Sequence, residues 1–495
     1  MEGGNIVVVG GGTAGWMAAL MARRVYPNHN VTVVESREIG ILGAGEGTTP
    51  HFVSFLDYVG IAVTDIIKEA GITFKSGIKF GNWRGDGRSY YHPFDGIGDL
   101  DPFNAHNGLL ADTALSTNYG LDLVALAPIL EDSKRVPATF TSGVVDDWAN
   151  PIQNVNFLTH WGLHFDANKL AGALSRIGVS RGIRCIDTNV VGCDVADGNL
   201  TAIKFRDGGG VPVDFLFDCT GFARKFLGEK LGATWESFGS FLPMKKAVPF
   251  FLPHDNDVAP KTDAIAMKYG WVWKIPVRDR YGCGYVFDSD YITPEEALKE
   301  ASDYFGTELT SSRVFSFSAG CYRETVIGNC MAVGLAQGFV EPLEATSLMT
   351  SFLSLRSVFE FGLFARRSPA AVARLNDKMF ERNVAVAHFL HLHYLTSRND
   401  SPFWREFKEK NKTPQEVADI IDNFSSGRCL GEWQTVFPTQ SWTYVLAGLG
   451  HAVPPNETFT PNLPAAKLIG DNQIRMAGAC VTHQTLISFL RGEME

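Results

Sequence analysis

The chain has 495 residues, with 54 acidic against 44 basic side chains and a formal charge of −10 when histidine is neutral. Hydrophobic residues at 45% and charged residues at 20% exclude a mostly disordered or collagen-like chain. The acidic balance argues against nucleic acid as the main partner, because phosphate binding needs concentrated Lys and Arg, and the length predicts more than one structural unit.

Taken in chain order, Ile6 to Val9 is a short β-branched run, followed by Gly10-Gly11-Gly12-Thr13-Ala14-Gly15 and then by Trp16 to Val25 at helical spacing. Val31 to Val34 reads as a second strand that ends on Glu35, so a βαβ unit with parallel strands is expected. The uncharged stretch from Asn5 to Ala22 could pass for a signal or a membrane span. Its glycines, and the absence of basic residues in the Met-Glu-Gly-Gly before it, favour a strand, turn and helix of a soluble domain. A Gly-rich turn follows at Gly43 to Pro50, and helical segments run to about Ala70. From Tyr90 to Pro151 the chain is rich in Asp, Asn, Pro and Gly, which predicts loops and short elements. A helix after Asp166 is expected to precede strands at Val190 to Val195, Leu200 to Phe205 and Val213 to Phe217, the last leading into Asp218-Cys219-Thr220-Gly221. Several strands alternate from Phe250 to Phe287, and the chain beyond Glu341 reads mostly helical.

Gly10-x-Gly12-x-x-Gly15 lies between a strand and a helix, and Glu35 ends the next strand about 20 residues later, as in a dinucleotide site. The glycines permit a tight turn and close approach of backbone to pyrophosphate, while the helix N-terminus faces the phosphates. Glu35 would accept hydrogen bonds from ribose hydroxyls, which favours a ligand without a 2′-phosphate. FAD is preferred to NAD because Asp218 to Gly221 and Gly328 to Gly338 read as returns to the cofactor-binding module. The eight cysteines include no C-x-x-C pair, which predicts reduced, buried thiols in a cytoplasmic protein. His388-x-x-His391-x-His393 is not expected to bind metal, because a helix turns His393 away from the other two and carboxylate partners are lacking.

Alternation of Phe74, Ile78 and Phe80 around Lys75 suggests a lysine in apolar surroundings, where desolvation can leave a nucleophilic amine or a well-aimed donor. Trp271-Val272-Trp273 places two indoles on one side of a strand. The glycine fingerprint, Gly45 to Pro50, Phe74 to Phe80, Trp271 to Pro276 and Phe339 to Ser347 together resemble the flavin-dependent tryptophan/indole halogenases, from about Ile6 to at least Gly450. The resemblance implies an α/β fold in which a discontinuous, Rossmann-like FAD-binding module is interleaved with a sheet-and-helix substrate module. The expected segments are 1–88 and 156–225 for the FAD module, 89–155 for substrate-module loops and 226–318 for the substrate-module sheet. Residues 319–350 would form the FAD and halide segment, and 351–495 a helical substrate region.

The resemblance further implies a two-component enzyme. FADH2 from a separate flavin reductase, O2 and chloride or bromide would give hypohalous acid, which passes to Lys75 for electrophilic halogenation. Glu344 would stabilise the cationic ring and help remove its proton, and the Thr346 and Ser347 amides would hold the halide. His92 and Phe94 would flank the indole, and Trp271 and Trp273 would wall it from the flavin. Gly10, Gly12, Thr13, Ala14, Gly15, Glu35, Gly47, Val190, Leu335 and Leu348 would contact the cofactor. The chain departs from the family in reading Glu-Ala-Thr-Ser where Glu-Ser-Thr-Gly is common, which leaves the choice of chloride or bromide open. Ser441-Trp442-Thr443-Tyr444 also replaces an Asn-Tyr-Tyr run near the amino-acid end of the substrate. Indole or an indole-bearing aromatic is therefore expected ahead of free tryptophan. The alternatives are tryptophan itself, an FAD-dependent aromatic monooxygenase, or a non-catalytic flavin-binding protein. No nucleic-acid or membrane partner is expected, and a homodimer stays open.

Overall fold

The computed structural model describes residues 3–40, 46–94, 122, 125–130, 133–141, 151–311, 313–364, 368–426, 436–451 and 463–493. The chain forms two compact units, each assembled from three stretches: 1–71, 165–239 and 318–384 in the first, and 72–164, 240–317 and 385–495 in the second.

The first unit is built on a six-stranded sheet in the order Arg184–Asp187, Asn30–Glu35, Asn5–Val9, Phe215–Asp218, Cys330–Ala332 and Val326–Ile327. The first five strands are parallel and the last is antiparallel. Ile6, Val7 and Val8 are buried without alternation, as expected for a parallel strand covered on both faces. Helix Thr13–Val25 packs against helices Ala167–Ser180 and Ser347–Phe361. Asp166 starts Ala167–Ser180 by accepting from the Asn168 and Lys169 amides at 3.0 and 3.1 Å, which satisfies two of the orphan donors at the helix start.

One local expectation is corrected here. The strand expected over Val213 to Phe217 runs from Phe215 to Asp218 in the parallel sheet, and Gly210–Pro212 before it belongs to a small antiparallel one. The chain changes partner between them, with the Val213 amide donating to Thr201 O and the Asp214 amide to Asn5 O. Pro212, lacking an N–H, stands where the first ladder stops. After strand Cys330–Ala332 the chain makes only a one-turn helix, Gly334–Ala336, and the long helix begins at Ser347.

The second unit holds a seven-stranded sheet in the order Phe315–Ser316, Lys246–Leu252, Arg280–Phe287, Gly270–Val277, Lys261–Ala266, Gly77–Gly81 and Ser89–Pro93. Every neighbouring pair is antiparallel except Gly77–Gly81 with Lys261–Ala266. Helix Pro294–Phe305 covers one face through Ala297 and Ala301, and begins with a reciprocal Thr293 and Glu296 cap. Trp273 lies opposite Gly284, where a Cβ would stand 2.1 Å from the indole, so the glycine makes room for the ring. Of the loop-rich region, strand Ser89–Pro93, helix Leu126–Leu130 and strand Ala138–Phe140 are described, and much of the remainder lies outside the described residues. No helix among the described residues is long and apolar enough to cross a membrane.

Candidate active site

In the first unit the glycine fingerprint closes the end of strand Asn5–Val9 onto helix Thr13–Val25. Gly10 adopts φ +118°, and a Cβ there would lie 2.1 Å from Cys219 O; a Cβ on Gly15 would lie 1.9 Å from Gly10 O. Neither position admits a side chain. Gly12 differs, because a Cβ on it would meet nothing within 4 Å. Gly12 also caps the helix with no side-chain hydrogen bond, so the Thr13, Ala14 and Gly15 amides begin a helix whose mouth is open. Glu35 ends the adjacent strand with its carboxylate against Gly11, where a Cβ would fall 1.7 Å from Oε2. The Cys185 thiol donates to Glu35 Oε1 at 3.5 Å, and burial followed by this carboxylate pushes that thiol up to about 12. An open helix mouth beside an acid at the neighbouring strand end fits the pyrophosphate and ribose of a dinucleotide.

The later segments come to the same strand ends. Asp218 is a buried organiser of the turn: its Oδ1 accepts from Thr220 N and Oγ1, and its Oδ2 from the amides of Phe226 and Leu227. Gly334, at φ +65°, brings the next turn against helix Thr13–Val25, a Cβ there standing 2.9 Å from the Ala14 Cβ. Leu335 O accepts from Arg224 Nε at 3.4 Å, and Val190 O from Lys225 Nζ at 3.1 Å. Leu348 is buried in helix Ser347–Phe361. Gly47 lies in the short strand Glu46–Gly47, whereas Gly43 to Gly45 lie outside the described residues. Glu46 was assigned no role from the sequence. Burial, with Asp166 adding to it, pushes its carboxyl up to about 7, so it takes up a proton far more readily than an exposed acid.

Glu341 and Glu344 are both buried, Glu344 to 1% exposure, at the two ends of the one-turn helix Pro342–Glu344. Ala345 then turns left-handed, at φ +55°, with its amide donating to Pro342 O. Thr346 is buried and Ser347 exposed at the start of the 15-residue helix Ser347–Phe361, which has no side-chain cap. Alanine in a left-handed conformation is unusual, since its Cβ crowds the following carbonyl.

In the second unit Lys75 ends strand Thr73–Lys75 with 0% exposure, in accord with the apolar alternation around it. Its Nζ sits 5.1 Å from the centroid of the Phe94 ring. Two backbone links bring these residues together: Gly77 pairs with Pro93, and the Phe94 amide donates to Ser76 O at 2.9 Å. Gly77 cannot carry a side chain, because a Cβ would lie 2.5 Å from His92 O. His92 is buried opposite Ile78, its ring 5.6 Å from Phe389 and 6.3 Å from Phe437. Phe389 stacks on Phe437 at 3.9 Å and meets Trp442 edge-on at 5.0 Å. The indoles of Trp271 and Trp273 are buried with centroids 6.3 Å apart, tilted by 62°.

The three histidines near the end of helix Pro369–Tyr394 serve separate partners. His388 Nδ1 meets Glu416 at 3.0 Å, so one carboxylate is present after all, on a single ring. His391 Nδ1 donates to Phe241 O at 2.8 Å, and His393 Nδ1 meets the Tyr90 hydroxyl at 2.8 Å. Among the described residues no cluster could hold a metal ion.

Comparison with known proteins gives the family. The sequence profile described as tryptophan halogenase matches residues 5–462. The tryptophan 7-halogenase RebH of Lentzea aerocolonigenes is 30% identical over 512 residues, spanning 94% of this chain and 91% of its own. The solved structure of the tryptophan 6-halogenase SttH of Streptomyces toxytricini superposes with a TM-score of 0.87 at 26% identity, covering 98% of this chain and 100% of its own. BrvH, a flavin-dependent halogenase from Brevundimonas sp. BAL3, gives a TM-score of 0.84 at 28% identity over 98% of this chain and 99% of its own. The chain therefore belongs to the tryptophan halogenase family.

Proposed function

We propose that this protein is a two-component, FADH2-dependent halogenase that places chlorine or bromine on indole or an indole-bearing aromatic. The observation that carries the reading is Lys75, a fully buried lysine above an aromatic ring at the family's motif position. Bound FAD, reduced by a separate flavin reductase, supplies the oxidising chemistry by which O2 and halide become hypohalous acid. The open mouth of helix Thr13–Val25 would hold the pyrophosphate, Glu35 the ribose, and Gly47, Val190, Leu335 and Leu348 the rest of the cofactor. The Thr346 and Ser347 amides would hold the halide.

Lys75 receives hypohalous acid, either donating a hydrogen bond to it or exchanging an N–H for an N–halogen bond with release of water. The electron-rich ring then attacks the halogen: a carbon–halogen bond forms, and the bond from halogen to oxygen or nitrogen breaks. Glu344 stabilises the ring cation and accepts its proton. His92 and Phe94 hold the flat ring, and Trp271 and Trp273 keep it from the flavin.

The preference for indole over free tryptophan is supported by the aromatic company of His92, namely Phe389 and Phe437, with Trp442 against Phe389. Burying an ammonium and a carboxylate among such groups is costly without charged partners. Mass spectrometry of products from indole and tryptophan in competition, with added flavin reductase and either halide, tests the proposal. Halogenated indole as the main product is expected. Dominant halotryptophan refutes the substrate assignment, and normal halogenation by Lys75→Ala refutes the role of Lys75.

A further inference from the structure

We propose that His483 and His164 are positioning residues for Lys75, two buried imidazoles that grip the strand Thr73–Lys75 at the residues just before the lysine. The inference rests on the reading of Lys75 as the residue that delivers halogen. It concerns how this chain, through side chains far apart in sequence, keeps that amine in place.

His483 opens helix His483–Leu490 and is 1% exposed. Its Nε2 lies 2.8 Å from the Phe74 amide, and its Nδ1 2.9 Å from Val258 O. An amide can only donate and a carbonyl only accept, so Nδ1 carries the proton and Nε2 accepts from Phe74. The geometry admits one tautomer and excludes the doubly protonated ring, which would set N–H against N–H. Phe74 thus spends its amide on an imidazole from the last helix, 409 residues away in sequence. The start of that helix is itself anchored, since the His483 amide donates to Lys134 O and Thr482 caps the Thr485 amide.

His164 grips the preceding residue. The Thr73 hydroxyl gives its proton to Pro276 O at 2.6 Å, so at 3.1 Å it accepts from His164 Nδ1. In the neutral ring His164 Nε2 then accepts from the Thr262 hydroxyl at 2.9 Å. His164 is 0% exposed, and its backbone pairs with Thr73 in the antiparallel ladder. Burial, with Lys75 and His483 adding to it, pushes His164 well below its ordinary range, and burial pushes His483 down to about 4. Both rings are therefore neutral near pH 7, in the state that these hydrogen bonds require. On the far side of the lysine the Ser76 amide donates to Pro260 O at 2.7 Å. The backbone is held at Thr73, Phe74 and Ser76, so the remaining freedom of Lys75 is in its side chain. The purpose is geometric: misplacing a reacting group by about 1 Å can cost about 100-fold in rate.

The test uses the full-length protein with FAD and a flavin reductase, and reads halogenated indole formed per reduced flavin oxidised. His483→Leu is expected to lower this yield by roughly 10- to 100-fold, while flavin affinity, the rate of reduced-flavin oxidation and KM for indole stay near wild type. His483→Gln, whose amide can accept from Phe74 N–H and donate to Val258 O, is expected to restore most of the yield. Wild-type yield in His483→Leu overturns the proposal. So does a parallel fall of flavin binding and halogenation that His483→Gln does not rescue, which marks a merely structural histidine. Should His483→Leu fail to fold, Thr262→Val decides: removing the hydroxyl that serves His164 is expected to lower the yield several-fold, and an unchanged yield refutes the grip. Lys75→Ala is run alongside. Its retention of halogenation would sink the reading of Lys75 itself, whatever the histidine variants do.

Discussion

Acid should destabilise this protein through buried histidines in the second unit well before most carboxylates are protonated. Burial pushes both His483 and His391 down to about 4, from the usual value near 6.5. Each ring accepts at one nitrogen, His483 from the Phe74 amide and His391 from the Thr413 hydroxyl, while its other N–H donates to a carbonyl. A depressed histidine favours the neutral folded form, so its contribution is complete above pH 6.5 and is lost as pH falls toward 4. Between pH 7 and 4.5 each ring therefore withdraws about 2 kcal/mol, and the pair about 4 kcal/mol. That is a large part of the roughly 5–15 kcal/mol that stabilises a typical fold. Urea denaturation of the flavin-free protein at pH 7, 6, 5 and 4.5, followed by tryptophan fluorescence, measures it. His391→Gln keeps a donor and an acceptor without titrating, and should lose about 2 kcal/mol less than wild type between pH 7 and 4.5. A loss in His391→Gln equal to that of wild type would refute the reasoning.

Three further outcomes are expected. Glu46 titrates in the opposite sense: with its folded value raised to about 7, its contribution is full below pH 4.5 and is lost as pH rises through 7. Glu46→Gln should thus gain stability over wild type at pH 8, by up to about 3 kcal/mol, in denaturation of the flavin-free protein; equal stability at pH 8 would contradict the burial of a neutral acid. Gly284→Ala should lower Tm by forcing the Trp273 ring aside, at a cost of about 1–3 kcal/mol, and should shift tryptophan fluorescence; a wild-type Tm would count against the close approach. Ala345→Gly should raise stability by about 1 kcal/mol by relieving the left-handed alanine, read as a higher Tm, and a lower Tm would contradict the backbone assignment.

The strand, glycine turn and helix that open the first unit were legible because their signals are local. Gly10, Gly12 and Gly15 between a strand and a helix, with Glu35 at the next strand end, define their geometry within one βαβ unit. Lys75 could also be read from its neighbours, since alternating Phe74, Ile78 and Phe80 imply a buried segment. The start of the strand at Phe215 was not legible, because Val213 is equally suited to a strand and only the competing partners Thr201 and Asn5 fix where one ladder gives way to the other. His164 and His483 passed unnoticed for a related reason: neither lies in a motif, and what each does depends on residues brought from elsewhere.

The amino-acid sequence by itself determined the class of protein, the glycine turn between strand and helix and the burial of Lys75, because each depends on spacing over a few residues. Tertiary structure decided the sheet to which each strand belongs, which acid holds a raised value and which histidines stay neutral. It also decided what grips the strand bearing Lys75. Such properties arise from desolvation and from hydrogen bonds between distant parts of the chain, and His483 reaches Phe74 only once the whole second unit has folded.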